Sequence, residues 1–372
     1  MEDNCTDIRE FLWRNQSDLS LAPASMATFA LVYSLFITLG VVGNLLVVIS
    51  VCKHRSLQSV RNIFIVSLSC SDIVVSVVSG SVTPITAISK IWLFGSTLCN
   101  LVPLIQGTSL CFSTLTLTAI AIDRFILIIF PTKKPIQKTD AFKMVAFNCV
   151  VATAISFPMF LKQTLTSYGD FCGQFCSEDW GEDLYMRSVY GTVVFVLQFV
   201  VPFLIISFCY TMISLKLGKG MLVKDLQKGD ESLIMTEQRK MAMRRRLRTN
   251  RMLVGMVFVF FCCWLPSVAF NILRDYSLLP NFVREQDYLF GVITHCISIS
   301  STVWNPCLYA LLNEQFRVAF SSLIHSLKGD VNPKAHHQCN RLISNGNLHE
   351  ASAKSVSTAA STKYRLPPPS QL

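Results

Sequence analysis

Seven stretches of this chain carry almost no charge over distances that no soluble fold requires. They cover about residues 27–52, 62–89, 99–122, 143–161, 189–215, 252–273 and 289–312. A helix needs about 20 apolar residues to cross about 30 Å of hydrocarbon, and each run approaches or exceeds that length. A membrane β-barrel is written in strands of about 10 residues with alternating polarity, which unbroken apolar runs exclude. Composition agrees, with 15% of the 372 residues charged against about 25% in a soluble domain. The expected fold is an all-α membrane protein, a bundle of seven transmembrane helices.

The remaining charges sort by side of the membrane. Lys53, Arg55 and Arg61 follow the first run, and Lys133, Lys134, Lys138 and Lys143 follow the third. Residues 216–249 hold ten bases against four acids, whereas 163–188 hold five acids and one base, Arg187. Positive charge gathers on the cytoplasmic side, which puts the N-terminus outside and the C-terminus inside. The net charge of +10 is then a mark of topology, and the basic stretch at 239–251 does not call for a nucleic-acid partner.

The ends differ from the middle. Residues 1–26 are polar and acidic, without the apolar core of a signal peptide, and read as an extracellular tail. They contain the glycosylation sequons of Asn4 and Asn15. Residues 27–325 form the membrane domain. Residues 326–372 are rich in Ser, Thr, Pro and Asn and are expected to be a disordered cytoplasmic tail. Of the 14 cysteines, four fall on the oxidising outer side: Cys5, Cys99, Cys172 and Cys176. Four cysteines allow three connectivities for two bridges.

Ionisable groups at membrane depth are costly and point to function. Here they are Asp72, the Asp123-Arg124 pair and His295. Asp72 also reads as a helix-packing carboxylate. A transporter or channel is compatible with a lone mid-span acid, yet the chain shows no duplicated halves, broken-helix pairs or charged pore rings.

The polar positions form a pattern. Asn44 in GNLLV, Asp72, Cys99, Asp123-Arg124, Pro202, Cys262 to Pro266 (CCWLP) and Asn305 to Tyr309 (NPCLY) fall one per span. In this order they resemble the rhodopsin-like G-protein-coupled receptors, over about residues 27–325. Asn148 is a departure, standing where the family usually has Trp ten residues before Pro158. From Cys99 to Arg124 is 25 residues, about 37 Å of helix at about 1.5 Å each, so the two sit at opposite rims. The resemblance further implies a short amphipathic eighth helix at NEQFRVAF, Asn313 to Phe320.

Within that family, receptors for biogenic amines have an Asp where this chain has Gln106, and opsins have a Lys that is missing between Leu289 and Leu312. Gln106, Gln198, Asn271, Asp275 and His295 resemble the set carried by the neuropeptide Y/neuropeptide F receptor branch. The acidic, Cys-rich CGQFCSEDW resembles the second outer loop of its invertebrate, especially nematode, members. The resemblance implies an amidated cationic peptide of the RF-amide or RY-amide type, with Asp275 facing a guanidinium and the other four hydrogen-bonding the amide end. His295 also reads as an interior hydrogen-bonded imidazole, and Asp275 as a solvated loop-edge acid. A tachykinin-like peptide is the alternative ligand.

The resemblance also implies the signalling parts. Cys99 pairs with Cys176 in the family pattern, which leaves Cys5 and Cys172 for a second bridge. Asp72, Ser113 and Asn305 would surround a sodium ion, with Ser301 and Thr302 nearby; no other cofactor is expected. Phe260 and Trp264 beside Pro266 form the hinge, and Asp123, Arg124, Tyr210, Asn305, Pro306 and Tyr309 the inner switch. Phe125 replaces the usual Tyr. Arg246 stands where many relatives hold a carboxylate that restrains the switch arginine, so a loosely latched resting state is expected. The partners implied are a Gi/o-type heterotrimeric G protein, arrestin, receptor kinases acting on Ser352 to Thr362, and plasma-membrane lipid, with Cys339 a palmitoylation candidate. The chain contains no nucleophile–base pair, and no enzyme activity is expected.

Overall fold

The structure is a computed structural model that describes residues 5–181, 184–226 and 233–327. Asn4, Glu182, Asp183, Cys339 and the sites from Ser352 to Thr362 lie outside these residues. So does the side chain of Arg246, although its backbone is helical.

Long helices dominate. The first six are α1 (Ile8–Gln16), α2 (Pro23–Lys53), α3 (Val60–Ser89), α4 (Gly95–Ile129), α5 (Lys138–Lys162) and α6 (Leu184–Phe195). After them come α7 (Val201–Leu226), α8 (Leu233–Asp275), α9 (Asn281–Glu285), α10 (Asp287–Leu312) and α11 (Glu314–Leu327). A π-helical turn, Val196–Val200, joins α6 to α7 as one span. Among the described residues, six spans are long and apolar enough to cross a membrane. The seventh, α10, has 26 residues and packs against α2, α3 and α8. Its serines, His295 and Asn305 make it less apolar, because its polar side chains face the bundle.

Local chemistry sets the ends. Pro23 opens α2, where its missing N–H is no loss. The Ser59 side chain accepts from the Asn62 N–H to start α3, and Lys90 ends that helix in a left-handed conformation with φ 60°. The π turn precedes Pro202, whose ring has no N–H to give the Gln198 carbonyl and crowds it; a widened turn is the result. Asn313 separates α10 from α11, its side-chain oxygen taking the Gln315 N–H at 3.1 Å.

Burial orders the bundle. In the apolar window of α4, 56% is buried, against 17% for α5, so α4 runs through the centre and α5 along the rim. Leu117, Ile120 and Ala121 of α4 pack with Ile206 and Ile213 of α7 and with Met252 and Met256 of α8. Phe142, Phe147 and Val150 of α5 and Phe203, Leu204 and Phe208 of α7 are exposed. In water such faces mark an interaction surface; on membrane helices they face lipid tails.

Helices α2 and α10 approach most closely at two glycines. A Cβ at Gly40 would lie 2.7 Å from the Thr302 hydroxyl, and one at Gly43 would lie 2.7 Å from Pro306 Cγ. Small residues allow such backbone contact in membranes. The contact is fastened by Asn44, whose amide donates to the carbonyls of Gly40 and Thr302, both at 2.8 Å.

Two parts of the chain are more ordered than their sequence suggests. The polar N-terminal segment forms α1, capped by Asp7, whose side chain accepts from the Arg9 N–H. The basic stretch 216–249 is largely helical, since α7 runs on to Leu226 and α8 begins at Leu233. Extended apolar runs were visible; the helical ends beyond them carry charge and give no apolar signal. At the inner end, α11 buries Phe316, Ala319, Phe320 and Leu323, the spacing of an amphipathic face.

Candidate functional site

The end of the bundle expected to face outside is built on a hairpin. Strand β1 (Gln163–Thr166) pairs antiparallel with β2 (Phe175–Glu178), placing Leu165 opposite Cys176. A disulfide joins Cys176 to Cys99 at the outer end of α4, and a second joins Cys172 to Cys5. Thr6 extends this second tie, giving its N–H to the Asp170 carbonyl at 2.6 Å and accepting from the Cys172 N–H at 3.1 Å. Asn15 is exposed on α1.

Beyond α1 the N-terminal segment is anchored by charge. Lys90 and Asp18 are 3.0 Å apart, with side chains 0% and 4% exposed. The Lys90 ammonium also donates to Ser20 Oγ at 2.7 Å and lies 3.8 Å from the centre of the Tyr288 ring. Burial raises the Asp18 carboxyl, but the Lys90 ammonium and the Ser20 donors outweigh it and hold it below the usual carboxylate range. Burial also lowers Lys90, more than Asp18 raises it.

The five candidate ligand residues fall into four local settings. Asp275, at the outer end of α8, is paired with Arg187 of α6 at 3.2 Å, and Arg187 reaches Glu178 of β2 at 3.1 Å. Gln198 is buried in the π turn. His295 of α10 is buried, with Nδ1 2.8 Å from the Tyr33 hydroxyl and Nε2 3.5 Å from the Thr83 hydroxyl. Gln106 is half-buried and Asn271 exposed, and neither makes a side-chain hydrogen bond among the described residues. The arrangement offers unpaired amides on α4 and α8 beneath a charged rim, which suits a ligand with one cationic group and several hydrogen-bonding ones.

Two partners escaped the sequence reading. Arg187 was visible only as the single base among five acids at 163–188. Tyr33 gave no signal, being one aromatic residue in an apolar run; helix packing alone brings it to His295, with ring centres 5.9 Å apart.

Below these residues, Trp264 donates its indole N–H to Ser301 Oγ at 3.1 Å and lies 6.3 Å from Phe260. Phe261 links the same turn to the fifth span, 5.8 Å from Phe199 of the π turn and 5.3 Å from Phe203. The hinge candidates are therefore in contact with both neighbouring spans. Deeper, the Asn305 amide donates to Asp72 Oδ2 at 2.8 Å. Ser113, Ser301 and Thr302 are buried on the flanking helices.

At the inner rim, Arg124 and Asp123 are in contact at 2.8 Å, although adjacent helical positions diverge. Tyr210 is buried within electrostatic reach of Arg124. Tyr309 is fully buried, stacked on Phe316 at 5.4 Å. Phe125 packs 5.8 Å from Phe208 and 5.9 Å from Phe130, a greasy setting in which a tyrosine hydroxyl has little use. Lys216 of α7 caps α4, its ammonium 2.8 Å from the Ile129 carbonyl.

Comparison with known proteins gives this arrangement its class. Residues 43–309 match the family model of the 7 transmembrane receptor (rhodopsin family). The neuropeptide receptor npr-1 of Caenorhabditis elegans is 33% identical over 349 residues, covering 85% of this chain and 76% of that protein. The neuropeptide F receptor of Drosophila melanogaster is 32% identical over 78% of this chain and 61% of its own length. A rat pyroglutamylated RF-amide peptide receptor is 30% identical over 82% and 71%. A transporter or channel is thereby set aside, as is any enzyme. This chain, a multi-pass membrane protein, belongs to the rhodopsin family of seven-transmembrane receptors.

Proposed function

We propose that the chain is a plasma-membrane receptor for an amidated, cationic neuropeptide of the neuropeptide Y/F or RF-amide type, with its N-terminus outside and C-terminus inside. The observation that carries this reading is Asp275, a carboxylate at the outer end of α8 already in contact with a guanidinium. A carboxylate takes an arginine in a paired, directional geometry. Glu178, across Arg187 from it, and Asp179, the next residue in the chain, add a field that draws cations, and two of the relatives named above are a neuropeptide F receptor and an RF-amide peptide receptor. Asn271, Gln106, Gln198 and His295 supply hydrogen bonds to the amide end, His295 through the Tyr33 side of the bundle.

Signal transfer then runs from peptide contact to the Trp264–Phe260 hinge, and from there to Arg124, Tyr210, Asn305, Pro306 and Tyr309. A Gi/o-type G protein is the proposed partner, with arrestin and receptor kinases following. Asp72 fits a monovalent hard cation such as sodium: among the described residues no cluster of three or more His, Cys, Asp or Glu exists to hold a metal, and one carboxylate among hydroxyls and an amide matches a single charge. When bound, such an ion would offset the buried Asp72 charge; Asp72, Ser113 and Asn305 are the residues that would hold it.

The test is a panel of amidated peptides applied to cells expressing the receptor, with Gi/o and Gq readouts in parallel. Dose-dependent activation by a peptide ending in Arg-Phe-amide or Arg-Tyr-amide, lost with its free-acid form, is the expected result. Activation confined to tachykinin-like peptides would overturn the ligand assignment.

A further inference from the structure

The guanidinium at Asp275 belongs to the receptor itself. Arg187 stands in the first turn of α6 and bridges two carboxylates from separate elements, Glu178 at the end of β2 and Asp275 at the end of α8. Its approach depends on a small neighbour: a Cβ at Gly191, one turn further along α6, would lie 3.3 Å from Asp275 Oδ2. The Glu178 end is fixed independently by the Trp180 indole N–H, 3.0 Å from the same carboxylate oxygen.

The two halves of this bridge are unequal. Glu178 Oε2, 3.1 Å from Arg187 Nε, also accepts the Trp180 indole N–H, whereas Asp275 Oδ1, buried 3.2 Å from the other arm of the guanidinium, accepts no hydrogen bond among the described residues. An acceptor that is buried and electrostatically paired but not hydrogen-bonded is under-satisfied, and a better-aligned donor would gain there. Arg187 retains 29% side-chain exposure, so it can swing aside while keeping Glu178.

We propose that Arg187 is a tethered surrogate for the ligand's cationic residue, occupying Asp275 in the empty receptor and leaving it for Glu178 when an arginine from outside arrives. This rests on the proposed peptide function for the identity of the incoming cation. It makes Arg187 a determinant of specificity: a ligand must present a fork good enough to displace an internal one, which a lone ammonium does not. It also closes β2, α6 and α8 together in the resting state and frees α8 on exchange.

Two arms test it. In the first, Arg187→Gln and the similarly long Arg187→Met are compared with the native receptor, using an Arg-Phe-amide peptide and its citrulline counterpart. A gain of about tenfold in potency, for the arginine peptide only and abolished by adding Asp275→Asn, is expected. A loss of potency for both peptides would mean that Arg187 merely props the mouth and would overturn the proposal. The second arm needs no peptide. Arginine amide at millimolar concentration should raise the melting temperature of the purified Arg187→Gln receptor in lipid nanodiscs, and less so the native one. Citrulline amide should do neither. Equal protection of native and variant, or none in either, would overturn the exchange. If no peptide in the panel activates the native receptor while arginine amide still protects the variant through Asp275, the ligand reading fails and the exchange stands.

Discussion

Lys90 and Asp18 form an ion pair 3.0 Å apart with almost no access to water, which ties the N-terminal segment to the outer ends of α3 and α10. Such a pair is costly to break by removing one partner, about 3–5 kcal/mol, because the survivor stays buried and unpaired. Asp18→Asn should release residues 8–21, seen as faster amide exchange or proteolysis there, while Asp18→Asn with Lys90→Met recovers part of the protection. The pH dependence has a definite sign. Asp18 is held below its usual value, so its contribution is present above about pH 4 and is lost as pH falls through the folded value. Protection of residues 8–21, corrected for the intrinsic pH dependence of amide exchange, that was already lost on lowering the pH from 6 to 5 would implicate another group.

Loss of the Asp275 charge should weaken the response to an arginine-bearing peptide. A hydrogen bond to a charged group contributes about 1.5–3 kcal/mol, so Asp275→Asn should shift the concentration–response curve by roughly ten- to a hundredfold. The citrulline peptide, already weak, should be unaffected. Equal potency of the arginine peptide on both receptors would remove Asp275 from the binding site.

The glycine contact between α2 and α10 predicts a stability effect far from any ligand. A methyl at Gly43 has Pro306 Cγ at 2.7 Å, and overpacking of this kind costs about 1–3 kcal/mol. Gly43→Ala should lower the melting temperature of the purified receptor by several degrees. An unchanged melting curve would show that α2 slides past α10 at no cost.

Replacement of sodium by N-methylglucamine in the binding buffer should raise peptide affinity for the native receptor if the cation favours the resting state. Asp72→Asn should erase that difference. A sodium effect persisting in Asp72→Asn would place the ion elsewhere.

Arg246→Glu should reduce signalling in the absence of ligand, by supplying a partner for Arg124 where the native chain has a like charge. Basal G-protein activation at matched surface expression is the measurement. An unchanged basal level would mean that the resting state is held by other contacts, among them the Arg124–Asp123 pair itself.

The fold was legible because bilayer physics writes long apolar runs, and six spans can be read by length and composition alone. The seventh was legible through Asn305 and Pro306 as much as through apolarity. Residues that act by type at a fixed place along a span, such as Asp72, Trp264 and Arg124, were found for the same reason. Pairings were not. That His295 meets Tyr33, or that Arg187 fills the place beside Asp275, depends on how helices turn toward each other, and no one-dimensional pattern records it. The helical order of residues 8–16 was hidden too, because its apolar stripe of Ile8, Phe11 and Leu12 spans only nine residues and is held by a local cap and a remote disulfide.

The glycine contact between α2 and α10 has a mechanical meaning. With Gly40 and Gly43 pressed against Thr302 and Pro306, and Asn44 and Tyr33 fastening the same pair by hydrogen bonds, these two helices behave as a stator. The fifth span differs: a π turn widens it just before Pro202, and it meets Phe261 through edge-on aromatic contacts rather than glycine contacts. A peptide held across both halves would work against the fixed one and turn the other, so that rotation at Phe199 and Phe261 becomes leverage at Arg124.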